Sequence, residues 1–207
     1  MSMTLPSGVR KLVLTVHLAC SVGWIGAVVA YLALGIAAVT SQDAETVRAA
    51  WIAMEVTGWR AIVPLALGAL LTGLVLALST PWGLFRHYWV VISLALTILC
   101  VVVLLLHMPS VSVTAALLRQ PDVVGGANGA GHTGTAGMGG DLFHPTAGLV
   151  ILLVVEALNV YKPRGLTPYG WRKQQEERAR LAERAAARPH VSASAVAAGG
   201  PQGLRGP

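Results

Sequence analysis

Residues 12–37 read LVLTVHLACSVGWIGAVVAYLALGIA, and no charged residue occurs between Lys11 and Asp43. A helix needs about 20 apolar residues to cross a hydrocarbon core of about 30 Å, and this stretch meets that length. Arg10 and Lys11 ahead of an apolar run resemble a signal peptide, but the apolar core of such a peptide is roughly 7–15 residues long. Cys20 does not read as a lipid-attachment site, because the position three before it holds His17 where a leucine is expected. The segment is therefore expected to stay in the chain as a membrane anchor.

Three further stretches have the same character. One follows Arg60 and stops at Thr80-Pro81, one runs from Tyr88 to His107 before Pro109, and one lies between Asp141 and Lys162. Strands are a poor alternative, because the runs lack period-two alternation and an open sheet edge in lipid would leave backbone groups unpaired. The expectation is an all-α, four-helix transmembrane bundle with helices at about 12–37, 42–79, 88–107 and 142–161. The second helix is expected to start near Gln42, capped by Thr40 or Ser41, and to project about three turns before it crosses at Arg60. A glycine-rich outer loop covers 121–141. Residues 162–188 form a basic juxtamembrane segment with a polar helix, supported by pairs such as Arg172–Glu176, Lys173–Glu177 and Glu176–Arg180. Residues 189–207 are low in complexity and expected to be disordered.

Composition agrees with this reading. Of 207 residues, 55% are hydrophobic and 12% charged, against about 25% charged in soluble domains. The formal charge of +6 suggests nucleic acid at first sight. The basic residues flank apolar segments instead of clustering on a folded domain, so no nucleic-acid partner is expected. Cys20 and Cys100 both fall within apolar runs and read as free thiols acting as small hydrophobes.

Basic residues orient the chain. With the amino terminus inside, Arg10, Lys11, Arg86 and all the Lys and Arg from Lys162 onward lie on the cytoplasmic side, leaving only Arg48, Arg60 and Arg119 outside. The positive-inside rule then puts 1–11 and the carboxyl terminus in the cytosol.

Polar residues within the spans suggest where chemistry could sit. His17, Ser21, Trp24 and Tyr31 share one helical face of the first span. Arg86, Ser93, Thr97, Cys100 and His107 form a stripe on the third, and His144, Gly148 and Asn159, with Glu156 at the margin, on the fourth. Serine and threonine here are expected to bond back to the carbonyl one turn earlier. His17 and Glu156 lie at matching depths, about 9 Å from Lys11 and Lys162 respectively, so a hydrogen bond between them is one reading, with Arg86 or His87 nearby. The plain alternative is that His17 packs among the helices while Glu156 snorkels to the interface. The sharper one is a proton or ion pathway open to the cytoplasm.

A second group gathers at the opposite face. His107 ends the third span, Met108 adjoins it, and His144 begins the fourth, with His132, Met138 and Asp141 in the loop between. Imidazole and thioether suit copper, and imidazole also suits haem iron. No P-loop, G-x-S-x-G or other soluble catalytic motif occurs.

Three strings carry a resemblance: VHLACSVGWIGAV from Val16, TPWGLFRHYWVV from Thr80 and VYKPRGLTPYGW from Val160. Together they resemble a family of small bacterial multi-pass membrane proteins of unknown function. More distantly, the histidine followed by Gly-Trp-Ile-Gly is similar to the copper-resistance D-type membrane domain. The first resemblance implies fold and location, with no activity to carry across. Three functions stay open: a structural or assembly partner acting through the cytoplasmic tail or as a homo-oligomer, a copper-handling module using His107, Met108 and His144, and a haem b protein in electron transfer.

Overall fold

The computed structural model describes residues 6–79, 86–120, 135–163 and 165–186, of which 135–141 are described by their backbone alone. The expectations for His132, for the turn at 80–85 and for the tail 189–207 lie outside the described residues. Five helices occur among them: α1 Ser7–Thr40, α2 Ala44–Ser79, α3 Tyr88–Leu118, α4 Thr135–Tyr161 and α5 Pro168–Ala186. Each of the first four contains a stretch long and apolar enough to cross a membrane.

α1 ends where the Thr40 hydroxyl turns back to the Ile36 carbonyl at 2.8 Å. Asp43, and neither Thr40 nor Ser41, caps α2, because its carboxylate accepts both the Thr46 N–H at 3.0 Å and the Thr46 hydroxyl at 2.6 Å. Those donations hold the Asp43 carboxyl below its ordinary range, the Thr46 hydroxyl contributing most. The α2 backbone widens into a π turn over Gly58–Ile62, with the Val63 N–H reaching Gly58 O. Pro64 lies just beyond and has no N–H to offer the carbonyl of Arg60, so the ladder shifts register around it.

Pro109 was expected to close the third helix near His107, but α3 runs through it to Leu118. Side chains and neighbouring helices can satisfy the Leu105 carbonyl that Pro109 deprives of its N–H, while the Ser110 hydroxyl bonds back within the helix to His107 O at 2.7 Å. Beyond the proline, Val111 and Ala115 are completely buried and Ser112 accepts from the Trp59 indole N–H at 2.9 Å. Packing against α2 therefore outweighs the helix break. α4 likewise starts at Thr135, inside the span read as loop, so that Pro145 falls within the helix and not in its first turn. It stops at Lys162, whose φ of 43° is left-handed, and Pro163 cannot continue a helix.

The core joins Trp24, Val28 and Tyr31 of α1 to Trp51, Met54 and Ala66 of α2, with Met108 and Val111 from α3. α1 packs on α2 and α4, and α3 packs on α2 and α4. Glu55 and Arg119 pair where α2 and α3 extend beyond the longer apolar stretches, and Arg48 donates to the Arg119 carbonyl at 3.2 Å.

α5 is tied to the start of α3. The Thr167 N–H donates to Arg86 O at 3.0 Å, and Tyr88 N–H to Gly165 O at 3.3 Å. The Thr167 hydroxyl accepts from the Gly170 N–H at 3.1 Å, capping α5. Glu177 pairs with Arg86 at 3.3 Å, while Lys173 takes Glu176 at 2.9 Å. The Lys173–Glu177 pair expected from spacing is replaced because Arg86, in the turn before α3, comes within reach of Glu177.

Candidate functional site

The polar stripes read from the sequence converge on two cavities, one towards each end of the packed helices. His107 and His144 belong to the first, of about 300 Å³, with Met108, Tyr31 and Cys100 also on its wall. The two imidazoles lie with centroids 4.8 Å apart and planes inclined by 27°. Continuation of α3 past Pro109 and the early start of α4 make both positions helical, so the rings are carried on rigid backbone. His144 is exposed and His107 half-buried, so the pair can be reached from outside.

Metal–imidazole bonds are about 2.0 Å long, and rings this close can each give a nitrogen to one cation once they turn out of their present stack. No third His, Cys, Asp or Glu joins them among the described residues. Met108 shares the cavity wall, but its thioether ends against Gly58, where an added Cβ would collide with it. Cys100 lies two turns away along α3, about 10 Å by helical rise. The donor set thus suits a soft monovalent ion of low coordination number better than zinc, which takes four ligands. As stacked, the two rings do not point their nitrogens at each other, so a haem held axially between them would need them both to turn and to separate.

The second cavity, of about 320 Å³, has His17, Glu156 and Asn159 on its wall, with Arg10 and Lys162 also lining it. His17 does not spend its Nδ1 on Glu156. That atom lies 3.1 Å from Ala69 O and 3.1 Å from the Thr72 hydroxyl, and the ring packs over Gly73, where an added Cβ would lie 3.0 Å from Cε1. Sequence reasoning placed His17 and Glu156 at one depth, and they do share a cavity. It missed Ala69, Thr72 and Gly73, whose role could be read only once α1 and α2 were known to be neighbours. Arg86 and His87 are not on this wall: Arg86 reaches Glu177, and the His87 ring lies 6.5 Å from Trp89.

Trp24 and Leu152 border both cavities and are buried, so they form the partition between them. The back-bonds expected of serine and threonine in the spans occur at Thr72 and Thr97 but not at Ser93, whose buried hydroxyl has no partner among the described residues. By fold and residue chemistry this is an all-helical protein with four helices able to span a membrane and two internal cavities edged by histidine. No family model, curated protein or solved structure matches the chain.

Proposed function

We propose that the protein is a four-helix bundle of a bacterial inner membrane, with both termini in the cytosol, that binds copper(I) at the His107–His144 pair on the outer side. The contact between these two imidazoles, 4.8 Å between centroids, carries the reading. Two ring nitrogens on separate helices, in an otherwise mostly apolar cavity, offer a soft ion a place to lose its water. Met108 is a reserve thioether that would have to leave the Gly58 notch to join. The similarity of the first span to the copper-resistance D-type domain supports the same choice of ion. Orientation rests on the basic residues gathered at Arg10, Arg86 and Lys162, away from the histidine pair.

Metal analysis of the detergent-purified chain after loading with copper(I) tests the proposal. One ion per chain is expected, falling at least tenfold in both His107→Ala and His144→Ala. The same substoichiometric metal in all three samples rejects it.

A second reading follows from α5, in which Gly170 is buried and nearly every other residue is exposed. A polar helix held at a membrane surface by Arg86 and Thr167 can serve as a docking element for an assembly partner or a second copy. Removal of 171–187 should then abolish co-purification of that partner, and identical partners without the segment would count against it.

A further inference from the structure

The cavity around His17 holds polar atoms that the protein leaves for something else. The Ala69 carbonyl cannot donate, so His17 Nδ1, 3.1 Å away, must carry the hydrogen. The Thr72 hydroxyl spends its own hydrogen on Gly68 O at 2.6 Å and is an acceptor as well. In the neutral ring Nε2 is then a lone pair. Glu156 and Asn159 lie nearly one turn apart on α4 and share the wall with His17. Ser93 is only 7% exposed, lines the same cavity, and its hydroxyl has no hydrogen-bond partner among the described residues. A buried hydroxyl without a partner is costly unless a ligand or water completes it.

The remaining wall is apolar and aromatic, from Trp24, Trp89, Ile25, Leu94 and Val155. Arg10, Leu14 and Lys162 line the cavity and are exposed, which puts its mouth at their end of the helices. An acyl chain would fill the apolar part but strand Nε2, Glu156 and Ser93 without hydrogen bonds. A metal cation would meet Arg10 and Lys162 at the entrance, with one carboxylate to offset two positive charges. The wall calls for a flat apolar body that gives hydrogens to two acceptors and exchanges one with a hydroxyl.

We propose that this cavity is a binding site for a lipid-soluble hydroquinone, its ring between the tryptophans and its hydroxyls donating to His17 Nε2 and to the Glu156 carboxylate. Ser93 and Asn159 hold the oxygen atoms of the same ring. No electron transfer is involved in the binding, and the site is independent of the copper pair on the other side of Trp24.

Titration calorimetry on the full chain in nanodiscs, under anaerobic reductant where needed, separates the alternatives. The probes are decylhydroquinone, the matching quinone, and the hydroquinone dimethyl ether. The hydroquinone is expected to bind at least tenfold more tightly than the ether, with the quinone, which only accepts hydrogen bonds, also weaker. His17→Asn keeps a donor for Ala69 O but removes the Nε2 lone pair. It should weaken hydroquinone binding about tenfold, as should Glu156→Gln, while Glu55→Gln, far from the cavity, should not. Equal affinity for the hydroquinone and its ether, no saturable binding, or full affinity in both His17→Asn and Glu156→Gln overturns the assignment.

Discussion

Met108 of α3 ends against Gly58 of α2, in the space that any Cβ at position 58 would take. Met108 is completely buried, and Tyr31 of α1 lines the same contact. Three helices therefore meet at one glycine, within the π turn that Pro64 imposes.

Gly58→Ala should destabilise the protein by about 1–3 kcal/mol, the usual cost of overpacking a filled interior. Met108→Ala alone should cost about 2–5 kcal/mol through the cavity it leaves. Because the two residues compete for one volume, the double variant should cost less than the sum. Unfolding in mixed detergent, followed by tryptophan fluorescence, measures all three. Strict additivity would show that the methionine does not occupy the glycine notch.

How far the sequence reached can be judged from particular residues. The four apolar stretches, Arg10 and Lys162 at one end and His107 and His144 at the other were legible because length, charge and helical period are local properties. Pro109 misled, since whether a proline ends a helix depends on what packs beyond it, and here Val111 and Ala115 are fully buried. The depth match of His17 and Glu156 led to one shared cavity. The partners His17 actually takes, Ala69 and Thr72, are 52 and 55 positions away in the chain, and no spacing rule connects them. The stacking of His107 on His144 was equally out of reach, because helix adjacency does not fix ring orientation.

Pro109→Ala tests the same point about α3. The variant restores an N–H for the Leu105 carbonyl, and a proline inside a helix is disfavoured by about 3 kcal/mol relative to alanine. Stability should stay level or rise, and copper binding should persist, because His107 already sits on continuous helix. Loss of folding in this variant would mean that the proline shapes the His107 region in a way the helix axis does not reveal.

The Glu55–Arg119 pair joins the projecting ends of α2 and α3, with Arg119 44% and Glu55 18% exposed, so it meets solvent through the arginine. Exposed pairs contribute about 0–1 kcal/mol and are screened by salt. Glu55→Gln should therefore change stability by less than about 1 kcal/mol, and the difference from wild type should shrink at high salt. A large, salt-independent loss in unfolding experiments would contradict a screened surface pair.

Asp43 makes the start of α2 sensitive to acid. Its folded carboxyl is held below the ordinary carboxylate range by the Thr46 hydroxyl and N–H. A lowered folded value stabilises the cap above the unfolded value, and the benefit disappears as pH falls through the folded one. Hydrogen exchange at Thr46 and Val47 should accelerate, relative to the intrinsic rate, only once the pH drops beneath the usual aspartate range. Asp43→Asn keeps an N-cap acceptor without a titrating group, so its protection should no longer follow pH. Equal acid sensitivity in both proteins would remove Asp43 as the cause.

Gly170 allows α5 to lie against the turn that leads into α3, because a Cβ there would run into the Arg86 carbonyl, which is backbone and cannot swing aside. That carbonyl also accepts the Thr167 N–H, so Gly170→Ala should loosen the cap and the docking together. The four spans do not depend on this contact. The expected result is faster amide exchange at Thr167 and Gly170 and quicker tryptic cleavage after Arg172 and Lys173, with copper binding at His107 and His144 unchanged. Arg86→Gln, which removes the Glu177 pair but leaves the carbonyl, should produce a smaller effect, since that pair is largely exposed on the glutamate side. If Arg86→Gln released α5 as fully as Gly170→Ala, the guanidinium and not the close backbone approach would be what holds the helix in place.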